Sequence, residues 1–141
     1  MPAERFLDTN ILLYGYDLDS PAKRTVAQAL LERAWLEPGS TAISVQVLQE
    51  FYVNFVRCGH KAAEAATLIN DFCKWPVTDN SLALFRLGLS VQKQWQLSLW
   101  DAMIVAAAQM SGAQELYTED LNHGQCYGDV RVINPFVSTI R

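Results

Sequence analysis

A chain of 141 residues fits one domain, expected over residues 1–141, and is long enough to bury roughly two-thirds of its unfolded surface without staples. Half of the residues are hydrophobic and 18% are charged, which excludes a disordered chain. The net charge of -4 counts against a partner held by clustered Lys and Arg alone, the usual way of contacting nucleic-acid phosphates.

In chain order, residues 4–7 read as a short buried strand, and Asp8 as the cap of a helical turn over 10–16. Residues 17–21 form a loop. Ser20-Pro21 then supplies an N-cap and a first-turn proline for a helix over 22–36, with Val26 and Leu30 inward and Glu37-Pro38-Gly39 as its stop. Residues 41–44 have strand composition. The helix expected over 45–58 carries Val45, Leu48, Phe51, Tyr52, Phe55 and Val56 on its apolar face and ends at Gly59.

A further helix spans 60–74, a strand 76–78, and a helix 80–94 with Leu82, Phe85, Leu89 and Val91 inward. Ser98 opens a helix that is apolar nearly all round from Ala102 to Ala108, which predicts a place at the centre of the molecule, and Gly112 closes it. Residues 115–118 and 130–133 are the last strands, separated by a polar, Gly-containing loop. The four tryptophans, at 35, 75, 95 and 100, fall near helix ends and read as core. Alternating short strands and helices imply an α/β fold: a short, mostly parallel central sheet flanked by helices, with any site at the carboxyl ends of the strands.

The three cysteines form no C-x-x-C pair and no disulfide framework, the N-terminus lacks a basic-then-apolar leader, and no apolar run approaches the roughly 18 residues of a membrane span. A cytoplasmic protein with no membrane partner is the expectation.

Four acids stand at informative places, and each has an ordinary structural reading. Asp8 is a preferred N-cap. Asp101 completes the S-x-x-D capping pattern of Ser98-Leu99-Trp100-Asp101. Glu50 shares a polar helical side with Gln46, Asn54 and Arg57, as a solvated glutamate does, and Asp120 reads as a turn residue. Taken together they also suit a hard divalent cation, which takes oxygen ligands from separate elements and keeps several waters. Glu119 ranks behind Asp120, because neighbours on an extended segment face opposite ways. His60 and His123 have no Ser or Cys partner for a triad, and no Gly-rich phosphate loop is present.

FLDTNILLY at the start, the isolated helical Glu50, SLWDAMIVAAA around Asp101 and LYTEDLNHGQ around Asp120 resemble, in this order, the acidic motifs of PIN-domain proteins. The likeness runs nearly the full length and is greatest to the small VapC-type toxins of VapBC toxin-antitoxin pairs. It implies a PIN-like three-layer α/β/α fold and a metal-dependent endoribonuclease. Asp8, Glu50, Asp101 and Asp120 become the catalytic ligands of Mg²⁺ or Mn²⁺, two ions per site, with Thr9, Asn10, Thr118 and Glu119 in support. An activated water would attack phosphorus in line, leaving a 3′-hydroxyl and a 5′-phosphate. The resemblance also implies an RNA substrate, a VapB-type antitoxin and a homodimer.

With the four acids set aside, 11 remain against 11 Lys plus Arg, and two bound divalent ions would cancel the formal -4. Lys23, Arg24, Arg57 and Lys61 are candidate phosphate contacts, though solvation accounts for them equally. A haloacid-dehalogenase-type phosphatase would need a second Asp where Asn10 stands, and a receiver domain would need paired acids and a late lysine. A PIN fold kept only for binding would be marked by a lost acid, and none of the four is missing.

Overall fold

The computed structural model describes residues 2–137. The chain runs β1 (Arg5–Leu7), α1 (Thr9–Tyr14), α2 (Pro21–Leu36), β2 (Thr41–Ser44), α3 (Val45–Arg57) and α4 (Ala62–Phe72). It continues through β3 (Val77–Thr78), α5 (Leu82–Trp95), α6 (Leu99–Ser111), β4 (Glu115–Tyr117), β5 (Cys126–Tyr127) and β6 (Val130–Ile133). The sheet order is β3-β2-β1-β4-β6-β5, parallel except for the antiparallel β5–β6 pair. This is the mixed α/β sheet flanked by helices that the alternation implies.

β1 and β2 are buried at every position, as central strands of a covered parallel sheet must be. The chain leaves β1 toward β2 on one side, while β4 enters on the other. The strand order therefore reverses at β1 and opens a crevice at the carboxyl ends of β1 and β4. α6 is the central helix expected from its composition: every residue from Ala102 to Ala108 is buried, and the helix packs on α5, β2, β3, β4 and β6. Its ends follow local rules, with the Ser98 hydroxyl accepting from the Asp101 amide and Gly112 at φ +80°.

Several inner faces differ from the expectation. α3 starts directly from β2, with the Ser44 hydroxyl capping Val47, and this junction sets its rotation. Gln46, Val47, Phe51 and Phe55 turn inward, while Tyr52 and Val53 are exposed. Phe51 stacks on Phe55 at 4.9 Å and meets Phe72 edge-on at 5.3 Å, the centre of an aromatic cluster. α2 buries Ala27, Leu31 and Ala34, leaving Val26 and Leu30 half-buried, and Ser20 makes no side-chain cap.

The largest departure is α5, which buries Leu84, Gly88 and Val91 and exposes Leu82, Phe85 and Leu89. Here the smallest residue faces the partner helix, because Met103 of α6 lies against the bare backbone of Gly88. Of the tryptophans, Trp75 is buried, whereas Trp35 and Trp100 are exposed at 42% and 65%. β5 falls inside the segment expected to be loop. It pairs with β6 through a two-residue Gly128-Asp129 turn with Gly128 at φ +61°, a hairpin signal too short to show as periodicity.

A side chain at Gly88 must displace Met103. Gly88→Val is expected to destabilise the protein by about 1 to 3 kcal/mol, and the double variant with Met103→Ala to recover part of the loss. Urea denaturation of the two variants checks this, and an additive double variant would refute the close contact.

Candidate active site

Asp8 follows β1 directly, between two neighbouring strands, so the residue is only 6% exposed. On the adjacent strand Leu7 stands opposite Tyr117, and Thr118 therefore emerges beside Asp8. The Thr118 hydroxyl donates to Asp8 Oδ2 at 2.8 Å, and the Thr9 amide donates to Asp8 Oδ1 at 2.7 Å, so the expected capping role is real. Burial pushes the Asp8 carboxyl up to about 7; the two hydrogen bonds oppose this, and the charges of Asp120 and Glu50 add to it.

Asn10, one residue into α1, ties the first motif to the last. Its amide nitrogen donates to Asp120 Oδ2 at 3.1 Å and to Thr118 Oγ1 at 3.2 Å, and its Oδ1 accepts from the Glu119 amide at 3.4 Å. The Asp120 amide in turn donates to Thr118 Oγ1 at 3.1 Å. One buried threonine hydroxyl thus serves Asp8, Asn10 and Asp120 together.

Glu50 arrives from the second turn of α3. Its Oε1 accepts from the Thr9 hydroxyl at 2.7 Å, which places it beside the Asp8 turn. Its Oε2 accepts from Gln46 Nε2 at 3.2 Å, and Gln46 also donates to the Trp100 carbonyl of α6 at 3.2 Å. The stripe of Gln46, Glu50 and Asn54 that reads as a solvated face therefore turns toward the site at its first two members. Gln46 is buried, and its link between α3 and α6 has one trace in the sequence, its position one helical turn before Glu50.

Asp101 lies in the first turn of α6, half-buried. Burial raises its carboxyl above the ordinary range; the Ser98 hydrogen bond acts against this, and Asp120 and Glu50 again raise it. Asp8 and Asp101 thus both feel the charges of Asp120 and Glu50, so the fold brings all four acids into one field. Glu119 faces elsewhere: its side chain reaches Tyr14 and Lys23, and only its backbone amide joins the Asn10 network.

The four acids offer only oxygen donors, the chemistry a hard divalent cation takes. Among the described residues no three acidic, His or Cys side chains stand close enough to form a ready-made cage. An open arrangement still fits Mg²⁺, which keeps several waters and needs only one or two direct carboxylates. A buried carboxyl raised to about 7 also marks a place where negative charge is uncompensated by the protein alone.

The raised Asp8 carboxyl has a consequence for stability. The folded chain keeps a proton that the unfolded chain releases near pH 4, so this group's contribution is lost as pH rises through about 7. In EDTA, wild type is expected to lose stability relative to Asp8→Asn between pH 5 and pH 8, by on the order of 1 to 4 kcal/mol. Urea midpoints at the two pH values measure it, and a pH-independent difference would refute the shift.

A family model described as the PIN domain matches residues 5–127. No curated protein sequence matches the chain. Among solved structures, a toxin-antitoxin complex from Klebsiella pneumoniae superposes with a TM-score of 0.69 at 22% identity, covering 94% of this chain and 98% of that one. VapC20 of Mycobacterium tuberculosis, a toxin that cleaves the sarcin-ricin loop, is 25% identical over 83% of this chain and 92% of its own, with a TM-score of 0.61. VapBC2 from Rickettsia felis, bound to a DNA fragment from its promoter, gives 0.64 at 18% identity, covering 91% and 96%. The family match spans all four acidic motifs and the strands from β1 to β5, and the chain belongs to the PIN domain family.

Proposed function

We propose that this chain is a VapC-type endoribonuclease that hydrolyses RNA phosphodiester bonds at the crevice between β1 and β4. The observation that carries this reading is the hydrogen-bond network of Thr9, Asn10 and Thr118 that holds Asp8, Glu50 and Asp120 at the strand ends, with Asp101 in the first turn of α6 within their electrostatic reach. These four are the metal ligands in this reading, for Mg²⁺ or Mn²⁺ and two ions per site. When bound, the ions supply Lewis acidity at the phosphate and lower the pKa of a water.

The protein's own contribution is placement. Thr118 and Thr9 hold Asp8 and Glu50 by their hydroxyls, and Asn10 holds Asp120, so the carboxylates are oriented before substrate arrives. Burial of Asp8 at the end of the sheet keeps water from that carboxyl, which strengthens the charge interactions it makes. VapC20, at 25% identity, cleaves the sarcin-ricin loop, and this supports the substrate class.

A VapB-type antitoxin is the proposed regulatory partner, as two of the similar structures contain toxin-antitoxin pairs. A groove of about 620 Å³ begins at Asn10 and runs past Leu13, Tyr16, Phe55 and His60, with Asp17 and Asp19 on its rim. Its apolar wall and acidic edge suit an amphipathic basic segment. A homodimer through the exposed Leu82, Phe85 and Leu89 of α5 completes the proposal. A cytoplasmic setting accords with the target, and among the described residues no helix is long and apolar enough to cross a membrane.

The test is cleavage of a mixed RNA pool by the purified chain with Mn²⁺, with EDTA, and with Asp101→Asn in place of wild type. Cutting is expected with Mn²⁺ alone, and to fall by about 100-fold or more in the variant. Full activity in EDTA or in a folded Asp101→Asn protein would overturn the metal-site assignment. Tight binding of RNA without cutting by wild type would favour a PIN fold used only for binding.

A further inference from the structure

Among the described residues the side chain of the acid next to Asp120 has no partner in the crevice, yet both of its carboxylate oxygens are engaged elsewhere. Glu119 Oε1 accepts from the Tyr14 hydroxyl at 2.6 Å, and its Oε2 accepts from Lys23 Nζ at 2.9 Å. Lys23 closes the ring by donating to the Tyr14 oxygen at 3.2 Å. The same ammonium lies 4.7 Å from the Tyr14 ring centre and 5.4 Å from that of Phe136, and the two rings meet edge-on at 5.0 Å. Three elements converge here: the end of α1, the first turn of α2 and the turn that follows β4.

The turn after β4 is therefore gripped from both sides. Inward, Asn10 and Thr118 hold its backbone and Asp120; outward, the Lys23 and Tyr14 pair holds Glu119. Asp120 itself is exposed and makes one side-chain hydrogen bond among the described contacts, so its aim depends on how firmly this turn is held. Lys23 also compensates the charge of Glu119. Without it a fifth carboxylate would be free to swing toward four others or repel them.

We infer that Lys23, Tyr14 and Glu119 form a clamp that positions Asp120 for metal binding, with Lys23 as a positioning residue rather than a phosphate contact. The inference rests on the reading of Asp120 as a metal ligand. Glu119 then acts through its neighbour: its carboxylate anchors the turn and its amide feeds the Asn10 network, while it touches neither metal nor RNA.

The test uses the full chain in two measurements below its unfolding temperature. By calorimetric titration with Mn²⁺ alone, Lys23→Met is expected to bind about 10- to 100-fold more weakly than wild type, the range for partners that orient metal ligands. Tyr14→Phe, which removes one donor, should lose less, and Lys23→Arg, which keeps charge and donors, should recover most of the affinity. By hydrogen exchange without metal, the Glu119 and Asp120 amides should exchange faster in Lys23→Met and be restored in Lys23→Arg. A Lys23→Met protein that melts earlier but keeps wild-type Mn²⁺ affinity and wild-type exchange at these amides would overturn the clamp. Absence of Mn²⁺ binding by wild type would instead overturn the metal reading, and the clamp's purpose with it.

Discussion

The pairing of β1 with β4 is the constraint on which the remaining geometry depends. Residues 110 positions apart are brought to adjacent strand ends, where the Thr118 hydroxyl meets the buried Asp8 carboxylate. Backbone hydrogen bonding enforces this registry: the Asp8 amide donates to the Tyr117 carbonyl and the Thr118 amide to Ile133. A slip of one residue would turn Asp8 and Thr118 to the opposite faces of the sheet and leave a carboxyl in the core. The site is thus secured by the ladder that holds the fold together.

Two helices complete the crevice for different physical reasons. α6 is driven to the centre by an apolar surface on all sides, and its capped first turn carries Asp101 to the sheet edge as a by-product of that burial. α3 is aimed by its direct exit from β2, and Gln46 ties it to α6 through the Trp100 carbonyl. The arrangement costs stability, because it collects negative charge around a buried carboxyl. The raised carboxyls of Asp8 and Asp101 record that cost, and a bound cation would offset it. A network of neutral donors, Thr9, Asn10, Thr118 and Gln46, keeps the acids apart and oriented without neutralising them.

The outward-facing features follow another logic. Where helices pack closely, small residues go inward and large ones are displaced to the surface, as at Gly88 against Met103 with Leu82, Phe85 and Leu89 outside. Periodicity alone assigned that apolar face to the interior. It measures which residues share a side, but it cannot say whether that side meets the protein's own core or another molecule. The same limit applies to α3, whose Tyr52 and Val53 are exposed while polar Gln46 is buried.

Apart from β5, the order of strands and helices, the caps at Asp8 and Ser98, the stop at Gly112 and the central place of α6 were legible in the residues, because each depends on neighbours within a turn or two. The acidic motifs could be ordered from the chain as well. Tertiary structure decided the rest. Glu50 leaves the solvated class only when α3 lies across from Thr9, 41 positions away, and Glu119, which strand alternation turns away from Asp120, finds its partners only when Lys23 and Tyr14 are brought beside it. Local sequence sets a backbone's conformation and the side on which a residue falls; what that side meets is set by long-range packing, which no spacing along the chain encodes.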